Sequence, residues 1–548
     1  MRKIYFNGNI YTVTNGIVEA FVEEKGEFLY VGSNEEALSY NEGNSELIDL
    51  EGKFVTAGFN DSHMHVLGYG YSLQMIQLSE CTSSLENLKR GIGNFIEGRE
   101  LKENEWIRGR GWNHDYFTDI KRFPTRYDLD EVSTTHPICI IRACGHTCVV
   151  NSKALELAGI TKDTPQVEGG VFDLDENGEP LGIFRENALS LIYDKIPTPD
   201  KDSLKNMIYD ACKSLNTYGV TSAQTDDFTV FPGVNYQTVI DAYKELEKEG
   251  RLSVKIYQQS QLVDKEELTE FIQKGYKTGV GSDYFKIGPL KLLGDGSLGA
   301  RTAYLTYPYS DDESTCGIAI YTQEQFDEMI EFAHKSGMQV AIHSIGDKIM
   351  YMVVEAIEKA LNKYPRENHR HGIVHCQITT EELLNKFKEL NLYAYIQSIF
   401  LDYDINIVEQ RIGKERAKLT YNFKTLMDSG VSVSNGSDCP VELPNVMEGI
   451  QCAVTRKNLD STKGPFLKEQ ALSLEEAIKT YTIMGAYGSF EEDTKGSIEV
   501  GKVADFVVLN QDPFDVYENN IKDINVLATY IDGKLVYKNV KEKELVLA

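Results

Sequence analysis

The chain has no run approaching the roughly 20 apolar residues that a membrane-crossing helix needs, so a membrane protein is not expected. It has no Cys-X-X-Cys pair either. Its nine cysteines are odd in number and scattered, which argues against both a disulfide framework and a cysteine-built zinc site. Cys144 and Cys148 stand four apart around His146 in an apolar segment, where packing is the expected role. Basic residues are in deficit, 56 Lys and Arg against 84 Asp and Glu, for a formal charge of -28. With no basic stripe to interrupt that field, nucleic acid is not an expected partner. The opening Met1-Arg2-Lys3-Ile4-Tyr5-Phe6-Asn7-Gly8 lacks the apolar core of a signal peptide and reads as a strand and turn, so a cytoplasmic location is expected.

Histidine is scarce as well, ten in 548 residues, so the placement of each one is informative. Two of them fall in Phe59-Asn60-Asp61-Ser62-His63-Met64-His65, at the end of the apolar run Lys53-Phe54-Val55-Thr56-Ala57-Gly58. In an extended strand alternate residues share a face, so His63 and His65 point the same way. Paired neutral imidazoles are half of a metal site; two polar residues at a strand exit are the bland alternative.

The length exceeds one simple core. Residues 1–55 alternate short β-like runs with turns, too few to close a sheet, and residues 490–548 repeat that grammar. The two ends are expected to pair into one composite β-sandwich domain. Residues 76–204 keep no regular beat, hold both tryptophans, Trp106 and Trp112, and include a hairpin from Gly169 to Glu186. A span this long between regular elements is read as a functional insertion or lid.

From residue 205 a strand-helix beat sets in. Strands are expected at 219–223, 252–257, 285–293, 339–343, 372–375, 393–397 and 431–438, with helices such as Thr322 to Ser336 and Thr380 to Leu390 between them. With the strand from Val55 to His65 in front there are eight. The fold class is therefore α/β, a (β/α)8 TIM-type barrel over residues 56–75 and 205–489, with its site at the C-terminal strand ends.

Potential ligands now fall in register. Strand one ends in His63 and His65, strand four carries Lys291, strand five ends in His343, strand six in His375 and strand eight in Asp438. Lys286 differs in parity from Lys291 and should face the helices. His371 shares parity with His375 but lies at the opposite strand end, where barrel residues serve stability. His114, His136, His334 and His369 have no strand-end position.

His63-Met64-His65, Lys291, His343, His375 and Asp438, in that order, resemble the amidohydrolase superfamily of metal-dependent hydrolases. A narrower likeness is to the branch containing N-substituted formamide deformylase. It rests on Gly145-His146 with Asn151-Ser152-Lys153-Ala154-Leu155, on Leu181 to Ala188, on Asp295 to Ala303 and on Gly436-Ser437-Asp438-Cys439-Pro440-Val441. Two departures leave every ligand in place: Ile373-Val374-His375 where relatives often have Ile-Glu-His, and Gln397-Ser398 where they often have Gln-Pro.

The resemblance implies that His63 and His65 hold one divalent metal with Asp438, that His343 and His375 hold a second, and that carbamylated Lys291 bridges them. A carbamate offers hard anionic oxygen where an ammonium would be repelled; an ion pair of Lys291 with Asp295 is the alternative. Zinc suits histidine and carboxylate ligands first. Hydroxide generated at the metals would attack the substrate, with Asp438 as proton shuttle. His146, Glu186, Trp112, Arg301 and Gln397, in these motifs or at strand ends, are the candidate substrate contacts. The implied activity is hydrolysis of a non-peptide C–N bond in a small amide, formamide or cyclic amide, and a homodimer is compatible with the likeness. Ester, lactone or phosphotriester hydrolysis, and a non-catalytic regulatory role for the same barrel, are the alternatives.

Overall fold

The computed structural model describes residues 2–99, 101–102, 104–143, 147–167 and 169–540. Two compact units share the chain: one takes Met1–Tyr69 with Lys201–Ala548, the other Gly70–Asp200.

Eight strands of the first unit form one sheet in sequence order: β1 Phe59–Met64, β2 Val220–Thr225, β3 Lys255–Gln261, β4 Phe285–Leu293, β5 Val340–Ser344, β6 Gly372–His375, β7 Tyr393–Ile396 and β8 Ser432–Asn435. Each neighbouring pair is parallel. The connecting helices start where local chemistry tells them to. Thr322 caps Gln323–Lys335 in a reciprocal capping box with Gln325, and the Thr380 hydroxyl caps Glu381–Glu389. Each lays a buried stripe against the sheet, such as Phe326, Met329, Ile330 and Ala333 on the first helix.

No ladder joins β8 to β1; side-chain and loop bonds hold that seam. The Asp438 N–H donates to His63 O and the His65 N–H to Cys439 O, both at 2.8 Å. The Asp61 carboxylate accepts the Ser437 N–H at 3.1 Å and its hydroxyl at 2.5 Å. Gly436 permits this approach, because a Cβ there would meet His63 N at 2.6 Å.

The apolar run before His63 is divided between two sheets. Phe54–Ala57 leaves the barrel and pairs with Asn9–Tyr11 on one side and Phe506–Leu509 on the other. The first barrel strand therefore begins at Phe59, not at Val55 as the hydrophobic pattern predicts. The switch occurs at Gly58, whose N–H donates to Asp505 O and where a Cβ would meet Thr221 Oγ1 at 2.3 Å. A single apolar run could not reveal this, since both halves are buried.

The terminal segments build a six-stranded sheet and a four-stranded sheet. Tyr5 and Phe21 of the smaller sheet meet Phe506 of the larger at 5.2 Å and 5.0 Å between ring centroids. Two lysines tie the N-terminal ends of barrel strands to the chain's last hundred residues through three ion pairs. Lys255 at the start of β3 reaches Asp505 at 2.8 Å and Asp532 at 2.7 Å, and Lys286 on β4 reaches Glu491 at 2.6 Å. Lys286 thus points away from Lys291's face of the strand, as its parity predicts.

The second unit is a mixed six-stranded sheet, with the expected hairpin present as Gly170–Leu174 paired with Pro180–Glu186. Strand alternation divides its core. Ile138 and Ile140 pack with Leu88 and Ile92 of the helix Leu85–Glu97, while Cys139 packs with Ala154 and Leu155 on the opposite face. Among the described residues no helix is long and apolar enough to cross a membrane.

Candidate metal centre

Asp438 stands between the first two histidines, its Oδ1 3.3 Å from His63 Nε2 and 3.2 Å from His65 Nε2. These three donors lie close enough together to hold one ion. The other two histidines are adjacent: His375 lies 5.6 Å from His63 and 4.4 Å from His343 between ring centroids. Lys291 completes the group, with Nζ 3.4 Å from His63 Nε2 and no exposure to solvent. The ends of β1, β4, β5 and β6 and the turn after β8 therefore deliver six candidate ligands to one place. Two of them sit in left-handed backbone, Asp438 at φ 58° and His375 at φ 83°, a conformation that costs energy in a non-glycine residue and concentrates at functional sites.

The second layer sets the chemistry of the first. Each histidine presents Nδ1 to an oxygen: His63 to Gln259 Oε1 at 2.8 Å, His65 to Asp226 O at 2.8 Å, His343 to Asp295 Oδ1 at 3.1 Å, and His375 to Gln397 Oε1 at 2.7 Å. An acceptor at Nδ1 fixes the proton there and leaves the Nε2 lone pair for a cation. All four imidazoles thus share the tautomer that a metal requires. Asp295 is itself fixed by the N–H groups of Tyr304, Ile345 and Gly346, and Phe400 stacks on His375 at 5.8 Å.

The electrostatics follow. Burial, with the Lys291 charge, pushes His63 down to about 4. Burial acts the same way on His65, but its hydrogen bond to Asp438 and the charges of Asp438 and Asp226 prevail and raise it to about 9. Burial would raise Asp438; the two imidazoles that crowd its Oδ1, with His65 as donor, outweigh it and hold the carboxyl well below its ordinary value. Without a metal, a proton occupies the space between His65 and Asp438. A divalent cation and that proton compete for one lone pair, so the donor set fits a metal in charge as well as in geometry.

Lys291 pairs with Asp226, whose Oδ2 lies 3.3 Å from Nζ, and not with Asp295, which serves His343. Strand boundaries hid Asp226 and Gln259 from the sequence reading: β2 and β3 each run further than their apolar residues, through Thr225 and Gln261. The polar segment Gln258-Gln259-Ser260 reads as loop, yet all three residues are buried.

The candidate substrate contacts separate. Gln397 is buried beside His375 and orients it. Arg301 forms a two-pronged pair with Asp311, which Arg411 shares. In the second unit, Trp112 is fully buried in the core with Phe117 and Leu129, and its indole N–H has no partner among the described residues. Glu186 lines a cavity of about 750 Å³ with Phe123, Arg142, Thr147 and Arg185. His146 and Cys144 lie outside the described residues.

Known proteins resemble the chain along nearly its whole length. The putative amidohydrolase YtcJ of Bacillus subtilis is 33% identical over 543 residues, covering 98% of this chain and 100% of that protein. The N-substituted formamide deformylase of Arthrobacter pascens is 25% identical, with 97% of each chain covered. The crystal structure of an uncharacterized metal-dependent hydrolase from Pyrococcus furiosus superposes with a TM-score of 0.77 at 31% identity, over 94% of this chain and 100% of that one. The model of the amidohydrolase family matches residues 46–537, and the chain belongs to that family of hydrolases.

Proposed function

We propose that the protein hydrolyses a non-peptide C–N bond in a small amide, formamide or cyclic amide. The observation that carries this reading is the shared tautomer: four histidines on three strands, each with Nδ1 held by an oxygen and Nε2 left for a cation. His63, His65 and Asp438 would hold one divalent metal, with zinc as first choice; His343 and His375 would hold a second, with Lys291 bridging as a carbamate. A divalent cation bound there supplies Lewis acidity, which polarises a carbonyl and acidifies water. Asp438, the carboxylate between His63 and His65, takes the proton of the attacking water and passes it to the leaving nitrogen. Gln259 and Gln397 keep the imidazoles in register while this happens.

The two terminal sheets are read as one β-sandwich domain, residues 1–55 with 490–548, beside a barrel of 56–75 and 205–489 and an insertion of 76–204. The test is a substrate panel for the zinc-loaded, bicarbonate-treated protein, with ammonia or amine release as readout. Release from amides or formamides is expected. Turnover of esters, lactones or phosphotriesters alone would overturn the C–N assignment, and a chain that binds less than about one metal and turns over nothing would point to a regulatory protein.

A further inference from the structure

One residue engages two of the six candidate ligands at once. Asp226, next in the chain after β2, gives its backbone carbonyl to His65 Nδ1 at 2.8 Å and its carboxylate Oδ2 to Lys291 Nζ at 3.3 Å. The Lys291 and Asp226 side chains are both buried. Among the described residues, neither forms another ion pair with an Asp, Glu, Lys or Arg. The pair therefore sums to zero charge inside the barrel mouth, where an unbalanced charge is costly.

We propose that the Asp226 carboxylate competes with carbon dioxide for the Lys291 nitrogen, and so makes carbamylation of Lys291 depend on the arrival of metal. The proposal rests on the reading of Lys291 as a carbamate bridge. In the covalent step the lysine nitrogen bonds to the carbon of CO2 while one carbon–oxygen π bond opens to leave an anionic oxygen. The ammonium sheds two protons to solvent base, so that Lys-NH3+ and CO2 become Lys-NH-COO- and two H+. The pair then changes from one cation and one anion to two buried anions facing each other. Divalent charge on the neighbouring histidines and Asp438 offsets that repulsion. Without it the ion pair is favoured and the nitrogen stays with Asp226.

Asp226 orients His65 through its backbone, so Asp226→Asn keeps that carbonyl and removes only the carboxylate charge, which acts on Lys291 and at longer range on His65. The full chain is treated with 13C-labelled bicarbonate, either chelator-stripped or zinc-loaded, and carbamate carbon is counted by 13C NMR, with Lys291→Gln as the control that takes no label. Zinc-loaded wild type should carry one label per chain and stripped wild type almost none. Stripped Asp226→Asn should carry at least tenfold more label than stripped wild type. Labelling of Asp226→Asn that remains as zinc-dependent as wild type would overturn the proposal, as would full labelling of stripped wild type. No label in zinc-loaded wild type would instead remove the carbamate reading itself. Thermal melts establish that the variant folds, and Asp226→Ser, which also lacks the charge, replaces it if the asparagine variant does not.

Discussion

Asp438 Oδ1 lies 3.2 Å from His65 Nε2 across a sequence separation of 373 residues. That contact joins the two ends of the barrel sheet, and under the proposed function one carboxylate has two duties, holding a metal with the histidines and moving a proton. Asp438→Ala should therefore lower kcat by more than about 10⁴-fold, beyond the 10²–10⁴ range of a proton-transfer role alone, because metal is also lost. Asp438→Asn keeps the shape and should retain more metal than the alanine variant. Metal content by elemental analysis, read beside kcat, separates the two duties.

Gln259 and Gln397 do the same job on different strands. Removing either leaves an imidazole free to rotate or change tautomer, so Gln259→Ala and Gln397→Ala should each weaken zinc binding by about 10–100-fold. Chelator competition measures this directly. A change in KM without any change in zinc affinity would instead assign Gln397 to substrate.

A second histidine cluster lies at the opposite end of β6 and β5. His371 Nδ1 accepts the Val340 N–H at 3.1 Å, and its Nε2 meets His334 Nδ1 at 2.8 Å. His334 Nε2 donates to Tyr364 O, and His369 Nε2 to Leu390 O. All six ring nitrogens are spent in bonds that fit neutral rings, His369 Nδ1 accepting the His371 N–H. Burial lowers His369 to about 4 and holds His371 well below its ordinary value. The folded chain therefore binds fewer protons than the unfolded one between pH 6.5 and about 4. The contribution of these histidines to stability should be flat above pH 6.5 and fall as pH drops through that window, by about 1–2 kcal/mol at pH 5 from His369. Urea midpoints from pH 7.5 to 4.5 check the slope, which His369→Gln should reduce.

Trp112 is a core residue of the second unit, so its truncation should act on stability. Trp112→Ala should cost about 3–5 kcal/mol, while Trp112→Phe, which removes an indole N–H without a partner among the described residues, should be far milder. Melting temperature and KM separate the roles. An unchanged melting temperature with a raised KM in Trp112→Phe would return this residue to the substrate contacts.

The convergence of the six candidate ligands was legible in the sequence because barrels place such residues at strand ends and histidine is scarce. The residues that orient them were not. Gln259 lies in a polar run that hydrophobic patterning assigns to a loop, and Asp226 lies three residues past the last strand residue that patterning identifies; both are buried by barrel closure, which no local window contains. Asp295 was visible in its motif, but its acceptance of the His343 ring and three backbone N–H groups depends on the path of a loop that returns to it. The division at Gly58 was invisible for the same reason, since each half of the run looks equally buried.

That division sets an order for making the protein. Phe54–Ala57 needs Phe506–Leu509 beside it, and about 450 residues must be synthesised between them. At roughly 5–20 residues per second, the first strands leave the ribosome on the order of half a minute or more before their partner exists. The edge of Phe54–Ala57 opposite Asn9–Tyr11 must remain unpaired through that interval, so a ribosome that stalls anywhere before residue 506 leaves a nascent chain with an open apolar edge, a substrate for chaperones and not yet the finished fold.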